Sequence, residues 1–245
     1  MNPLISMAIG LGILSVVSGM LGLGVAFSAI PFLAFFLPDL IHQVQPLSLL
    51  LNGVTALFAV FGFAKSGLVD WKKALSLAVI TTVSAPLGAW IVQYTPVMIV
   101  WIAYLASVFY LAYRLFRPVK ERPGEENFRL ALILAVPISI LSGLLGIGPG
   151  FLLMPTLIIV GFPAKKAAGI NALAVMPPSF SALIPHLGKA HWDLSLTVTL
   201  LLIGAAGSYV GARLTSLYIP GERLKQGFGI LIVIMTLYKI FTLIS

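Results

Sequence analysis

Charged side chains divide the chain unevenly. There is none from Pro3 to Leu37, none over the 40 positions from Ala74 to Tyr113, and none over the 35 from Leu130 to Ala164. A helix needs about 20 apolar residues to cross the hydrocarbon of a bilayer, so each run is expected to hold two helical segments with a break between them. Gly22-Leu23-Gly24, Gln93-Tyr94-Thr95-Pro96 and Gly148-Pro149-Gly150 supply the breaks. Pro149 has no N–H to continue a helix, and glycine permits backbone angles that other residues avoid. Single spans are expected over Pro46 to Ala64, 167 to about 185, 194 to 212 and about 224 to 244. Loops are expected at Asp39 to Gln45 and Lys65 to Lys73. Arg114 to Arg129 is the extended hydrophilic stretch.

The breaks belong to an internal repeat. Ser18-Gly19-Met20-Leu21-Gly22-Leu23-Gly24 with Pro31 matches Ser142-Gly143-Leu144-Leu145-Gly146-Ile147-Gly148 with Pro155 at a constant offset of 124. Gly67-x-x-x-Trp71 matches Gly188-x-x-x-Trp192 at 121, Gly88-Ala89 matches Gly211-Ala212 at 123, and Pro96 matches Pro220 at 124. The chain therefore reads as a first transmembrane repeat (1–117), a linker (118–128) and a second repeat (129–245), ten helical elements as five plus five.

Composition agrees with a membrane fold: 60% of the 245 residues are hydrophobic and 9% charged, more apolar surface than a soluble core of this size can hide. The net charge of +8 arises from Lys and Arg clustered in short loops, which is topology information and gives no case for nucleic acid. No cysteine is present, so disulfides and thiolate chemistry are absent. The N-terminus has no basic stretch before its apolar run, and the first segment is expected to be retained. If each glycine-broken stretch enters and leaves on one face and the linker is cytoplasmic, Lys65, Lys72, Lys73, Arg114, Arg117, Lys120, Arg122, Arg129, Lys165, Lys166, Arg213, Arg223 and Lys225 lie inside. Lys189 and Lys239 are then the cations outside. Single crossings would move Lys165, Lys166, Arg213, Arg223 and Lys225 outside. The positive-inside rule prefers the hairpin or re-entrant arrangement, and an odd element count per repeat then inverts one half relative to the other, as in many secondary transporters.

A broken helix pair presents a helix N-terminus with free N–H groups and partial positive charge in a medium of low dielectric, which suits an anion. The alternative is that these glycines only let helices pack closely. The candidate substrate-binding set is Gly22, Gly24, Asn52, Ser142, Gly146, Gly148, Gly150 and Asn171. Asn52 and Asn171 are polar groups inside apolar spans and should face inward, either to coordinate substrate or to bond a neighbouring helix. Ser18 and Ser48 are weaker candidates, like Ser142, because serine can bond its own helix backbone. Lys65 and His186, equivalent at offset 121, are gate candidates at opposite mouths or else interfacial anchors. Trp71, Trp192, Tyr94, Tyr218 and Tyr238 fit the interfacial belt. No nucleophile motif, His-x-x-x-His pair or intramembrane carboxylate supports catalysis; no enzyme activity, metal or cofactor is expected.

Gly146-Ile147-Gly148-Pro149-Gly150 with Pro155, Ala168-Gly169-Ile170-Asn171-Ala172-Leu173, Gly188-x-x-x-Trp192, Gly204 to Gly211-Ala212-Arg213, and Arg223-Leu224-x-x-x-Phe228-Gly229 resemble the sulfite exporter TauE/SafE family of membrane permeases over essentially the whole chain. Pro149 replaces a more usual glycine there and Ile170-Asn171 a commoner Thr-Ser pair. The resemblance implies export of sulfite, sulfonates or related small sulfur-containing anions across the bacterial inner membrane. The expected partners are that anion and the lipid bilayer, with a homodimer allowed. An anion channel using the same site, or a membrane assembly factor without transport, are the rival readings.

Overall fold

The computed structural model describes residues 3–96 and 125–224, with Ile99, Ile102, Ala106, Phe109, Tyr113, Gln226 and Ile230 as further helical positions. All regular structure among the described residues is helical: α1 (Pro3–Leu21), α2 (Ala26–Leu33), α3 (Gln45–Ala64), α4 (Trp71–Ile91), α5 (Phe128–Leu145), α6 (Gly150–Ile159), α7 (Ala164–Leu183) and α8 (Leu194–Tyr218). A π-helical turn covers Leu40–Val44, and 3-10 turns cover Val92–Tyr94 and Ile184–His186. Six helices, α1, α3, α4, α5, α7 and α8, are long and apolar enough to cross a bilayer. The expected breaks at Gly22–Gly24 and Gly148–Gly150 separate α1 from α2 and α5 from α6. Most of the second span of Ala74–Tyr113, of the linker and of the 224–244 span lies outside the described residues.

Several boundaries differ from the sequence reading: α4 begins at Trp71 and takes Lys72 and Lys73 out of the expected loop, and α2 ends at Leu33, short of Leu37. The stretch after Asp39 is helical instead of a loop, because the Asp39 carbonyl accepts from both Gln43 and Val44 N–H and its carboxylate from His42 N–H at 2.9 Å. α7 starts at Ala164 and takes Lys165 and Lys166 into its first turn, since no proline interrupts the run from Ala164 to Met176. α8 runs on past Ala212 to Tyr218, carrying Arg213 inside a helix where Ser66 Oγ accepts its guanidinium at 2.9 Å.

Side-chain caps start three helices: Asp70 accepts from Lys73 N–H, Asn127 from Leu130 N–H and Asp193 from Leu196 N–H, each satisfying a donor that the first turn cannot. Asp70 and Asp193 cap the fourth helix and the last, α4 and α8, in the same way. α1 and α5 end alike: Gly22 and Gly146 adopt φ of 63° and 69°, Leu23 and Ile147 N–H return to the Ser18 and Ser142 carbonyls, and Gly22 and Gly146 N–H to Gly19 and Gly143. This is the Schellman closure, which favours glycine at the left-handed position.

The asparagine-bearing helices form the interior. About two thirds or more of α3 and α7 is buried (67% and 72%), against 33–44% of the other four. Around them the packing exchanges the halves: α1 lies on α8, and α5 lies on α4. Gly211 meets the backbone of Val16 and Met20, while its equivalent Gly88 meets Ile140 and Leu144; Gly19 meets Ser208, while Gly143 meets Ala85. Every residue in one set has its counterpart in the other at 123 or 124, so the small residues that permit close helix approach serve the same two crossings in both halves.

The ends of the molecule are chemically distinct. At one, Glu126 pairs with Lys73 (3.3 Å) and Lys166 (3.4 Å), and Asp70 with the same lysines. Burial by itself would raise the Glu126 carboxyl, but its own backbone N–H and the Lys73 and Lys166 ammonium groups outweigh that and hold it below the usual carboxylate range. Asn127 N–H donates to the Val160 carbonyl at 3.0 Å, which brings the end of α6 back beside the beginning of α5. At the other end His42 pairs with Asp39 (3.0 Å) and its carbonyl accepts His191 N–H at 2.8 Å.

Candidate functional site

The two helix breaks meet between α3 and α7. Gly24 and Gly148, equivalent at offset 124, have φ of 69° and 73°, and both face the Asn52 amide: a Cβ at Gly24 would collide with Asn52 Oδ1, one at Gly148 with Nδ2. Asn52 Oδ1 accepts Ala26 N–H at 2.8 Å, the first donor of α2, and Nδ2 donates to Ser179 Oγ at 2.8 Å. One turn along α3, Thr55 Oγ1 accepts Val25 N–H at 3.1 Å while donating to the Leu51 carbonyl at 2.7 Å. Ser179, its equivalent at 124, likewise donates to the Val175 carbonyl at 2.6 Å. All four polar side chains here, Asn52, Thr55, Asn171 and Ser179, are fully buried.

The second break is covered differently. Pro149 stands at the position equivalent to Val25 and has no N–H, so Ser179 has nothing to cap there and accepts from Asn52 instead. Asn171 Nδ2 donates to the carbonyls of Gly22 (2.7 Å) and Gly150 (3.2 Å), joining the two breaks. Two carbonyl acceptors fix which end of the amide is nitrogen, and Asn171 Oδ1 is left buried with no hydrogen-bond partner, a state rare enough in folded proteins to call for a reason. Phe27 and Phe151, equivalent at 124 and the second residues of α2 and α6, stack face to face with ring centroids 3.7 Å apart and planes 11° from parallel.

Of the sequence-derived set, the structure brings together Gly22, Gly24, Asn52, Gly148, Gly150 and Asn171. A Cβ added at Gly146 would instead lie 3.4 Å from the Gln45 side chain. Ser142 lies in the last turn of α5, its hydroxyl buried without a partner. Ser18 reaches Ser28 at 3.5 Å, and the Ser48 hydroxyl is buried without a partner. Lys65 and His186 lie at opposite ends of the α3/α7 pair, which runs antiparallel from the Leu68–Gly169 approach to the Asn52–Ser179 bond. Lys65 Nζ stands 5.7 Å from the Tyr209 ring centroid. Thr55, Ser179 and the phenylalanine pair escape a reading of the sequence. The available signal was their spacing of 124 within the repeat, since a hydroxyl or an aromatic ring in an apolar span is otherwise unremarkable. Among the described residues no group of three or more His, Asp or Glu is placed to hold a metal ion.

Six membrane-length helices wrapped on a buried polar centre define a multi-pass helical membrane protein. Residues 6–239 match the model of the Sulfite exporter TauE/SafE family, and the chain belongs to that family. It is 25% identical over 216 residues to the probable membrane transporter protein YdhB of Bacillus subtilis, covering 84% of this chain and 87% of the relative. A probable membrane transporter protein of Xylella fastidiosa is 27% identical over 249 residues, covering 94% and 92%, and one of Methanocaldococcus jannaschii 25% over 185, covering 71% and 69%. No solved structure matches the chain.

Proposed function

We propose that the protein is a membrane transporter that exports a small sulfur-containing anion, such as sulfite or a sulfonate like sulfoacetate, across a bacterial inner membrane. It works by alternating access at the centre where the two helix breaks meet. The observation that carries this reading is the convergence of both breaks, with matched left-handed glycines, on two buried asparagines of which one retains an unused acceptor. The N-terminus of α6 there offers a positive dipole end without a buried cation, and Asn171 Oδ1, which can only accept, suits the O–H of a protonated oxyanion such as hydrogensulfite. We place the halves in inverted orientation with each broken pair as a hairpin. In support, Lys166 shares Glu126 with Lys73, and Asn127 bonds Val160, as expected if both ends of the α5–α6 pair lie on the lysine-rich face.

The rival reading as a channel keeps the same site without an occluded state. Two features favour a carrier: Asn52 and Thr55 cover the first donors of α2, and the Phe27–Phe151 stack fills the space beside them. Purified protein in proteoliposomes should show saturable sulfite or sulfoacetate flux that accelerates with substrate on the far side. Linear, channel-sized conductance would replace the carrier with a channel, and absence of both flux and ligand-dependent stabilisation would leave the assembly-factor reading.

A further inference from the structure

At the end that carries Glu126, the cations fall into two groups. Lys73 and Lys166 are neutralised by Asp70 and Glu126. Lys65, Lys165 and Arg213 enter none of the ion pairs found among the described residues. Three elements nevertheless gather them along a short stretch of α8, where Tyr209, Arg213 and Ser216 share one face at i, i+4 and i+7. Lys65, capping the C-terminus of α3, reaches over the Tyr209 ring; Arg213 Nη1 donates to Ser66 Oγ at 2.9 Å; and Lys165, in the first turn of α7, donates to the Ser216 carbonyl at 3.4 Å. Asp70, five residues from Lys65, pairs with Lys73 and Lys166 instead, and Glu222, which follows Gly221, whose added Cβ would lie 3.8 Å from Ala164, forms no ion pair with them. Like charges gathered on one face of a helix repel one another, and an anion between them offsets that repulsion.

The cluster adjoins the central site. Ala168, one turn beyond Lys165, lays its carbonyl against Gly22, and Thr215, beside Ser216, donates to the Met20 carbonyl at 2.9 Å. Asn171 is six residues along α7 from Lys165, about 9 Å at 1.5 Å per residue. The arrangement is also one-sided: under the offsets of 121, 123 and 124, Lys65, Arg213 and Lys165 correspond to His186, Trp90 and Ile41.

We propose that Lys65, Lys165 and Arg213 form an oxyanion-binding vestibule one helical turn from the Gly22 break, with Arg213 offering the planar fork that suits two oxygens at once. Its role as the loading side of the transport path rests on the transporter reading, whereas the binding itself does not. The shared chemistry is a sulfate- or phosphate-like oxyanion, free in solution or as a lipid headgroup.

The test uses the full chain in phosphatidylcholine nanodiscs, titrated with sodium sulfate against sodium chloride of equal ionic strength, with binding read as thermal stabilisation. The native protein should be stabilised by sulfate, and Arg213→Gln with Lys165→Gln should weaken the apparent affinity about tenfold or more. Arg213→Lys, which keeps the charge and is the gentler change should the double variant fold poorly, should fall in between. Replacing part of the lipid by phosphatidylglycerol separates the sources: competition with sulfate identifies a headgroup site, and its absence a site for the free anion. No stabilisation of the native protein by either sulfate or phosphatidylglycerol, or equal sulfate affinity in the native and Arg213 variants, overturns the vestibule. Sulfate binding without flux of any substrate would instead remove the transporter reading and leave this site standing.

Discussion

The two helix breaks share a backbone and differ in what covers it. At Gly22–Val25 the emerging N–H groups of Val25 and Ala26 are met by Thr55 and Asn52, so α2 begins fully capped from within the protein. At Gly146–Gly150 the first of those donors is deleted by Pro149, and the nearby asparagine turns its nitrogen, not its oxygen, toward the chain. One break is thus closed by its own neighbours, while the other keeps an acceptor in reserve. The lesson is that a repeated motif fixes geometry, and the residues facing it decide whether that geometry is spent on stability or left for a ligand.

The largest test of this contrast replaces the glycines. Leucine at Gly148 must adopt a left-handed backbone, at roughly 1–2 kcal/mol, and displace the Asn52 amide. Gly148→Leu and Gly24→Leu should reduce proteoliposome flux to background while the protein still inserts. A well-folded Gly148→Leu protein with normal flux would show that these glycines serve packing alone. Next come the asparagines, which should fail in different ways. Asn52→Leu leaves the buried Ala26 N–H without its acceptor, a cost of about 1–3 kcal/mol, and should appear as a lower thermal midpoint. Asn171→Leu gives up its bonds to the Gly22 and Gly150 carbonyls and should in addition weaken ligand stabilisation, by roughly 1–3 kcal/mol of binding, the usual worth of a hydrogen bond to a charged group. Equal midpoint losses with no difference in binding would erase the contrast.

The smallest effect concerns the lysine-rich end of the second pair, where Glu126 ties the start of α5 to α4 and α7. Because its folded-state pKa is depressed, its contribution is fully present above the ordinary carboxylate pKa of about 4.3 and is lost as pH falls through the lowered folded value. Glu126→Gln should therefore lower stability at neutral pH and flatten the acid limb of a stability-versus-pH curve. An unchanged acid limb would mean that Lys73 and Lys166 hold that end without it.

Much of this was legible in the sequence because proline and glycine act locally. The positions of both breaks, the matched Pro31 and Pro155 inside the short helices, and the inward-facing asparagines follow from the charge-free runs and the offset of 124. Other features depend on partners far along the chain. Glu126 read as part of a solvated linker, since nothing local announces Lys73 or Lys166 beside it. Arg213 read as the end of a span, because its neutral partner Ser66 lies 147 residues away. Thr55 and Ser179 bond their own helix four residues back, as isolated hydroxyls commonly do, and this hides the second bonds that matter here.

The Phe27–Phe151 stack carries a consequence for how such a centre can change over time. Under the proposed inverted arrangement the two rings are the same position seen twice, as they would be in a pair of identical half-length chains. In such a pair every residue beside the symmetry axis is duplicated, and a second Asn52 amide would compete for the space that the first already fills between Gly24 and Gly148. Joining the halves in one polypeptide lifts that restriction. Each copy can then drift alone, so that Val25 in one becomes Pro149 in the other and Asn52 in one becomes Met176 in the other. Covalent fusion lets a symmetric scaffold hold an asymmetric interior.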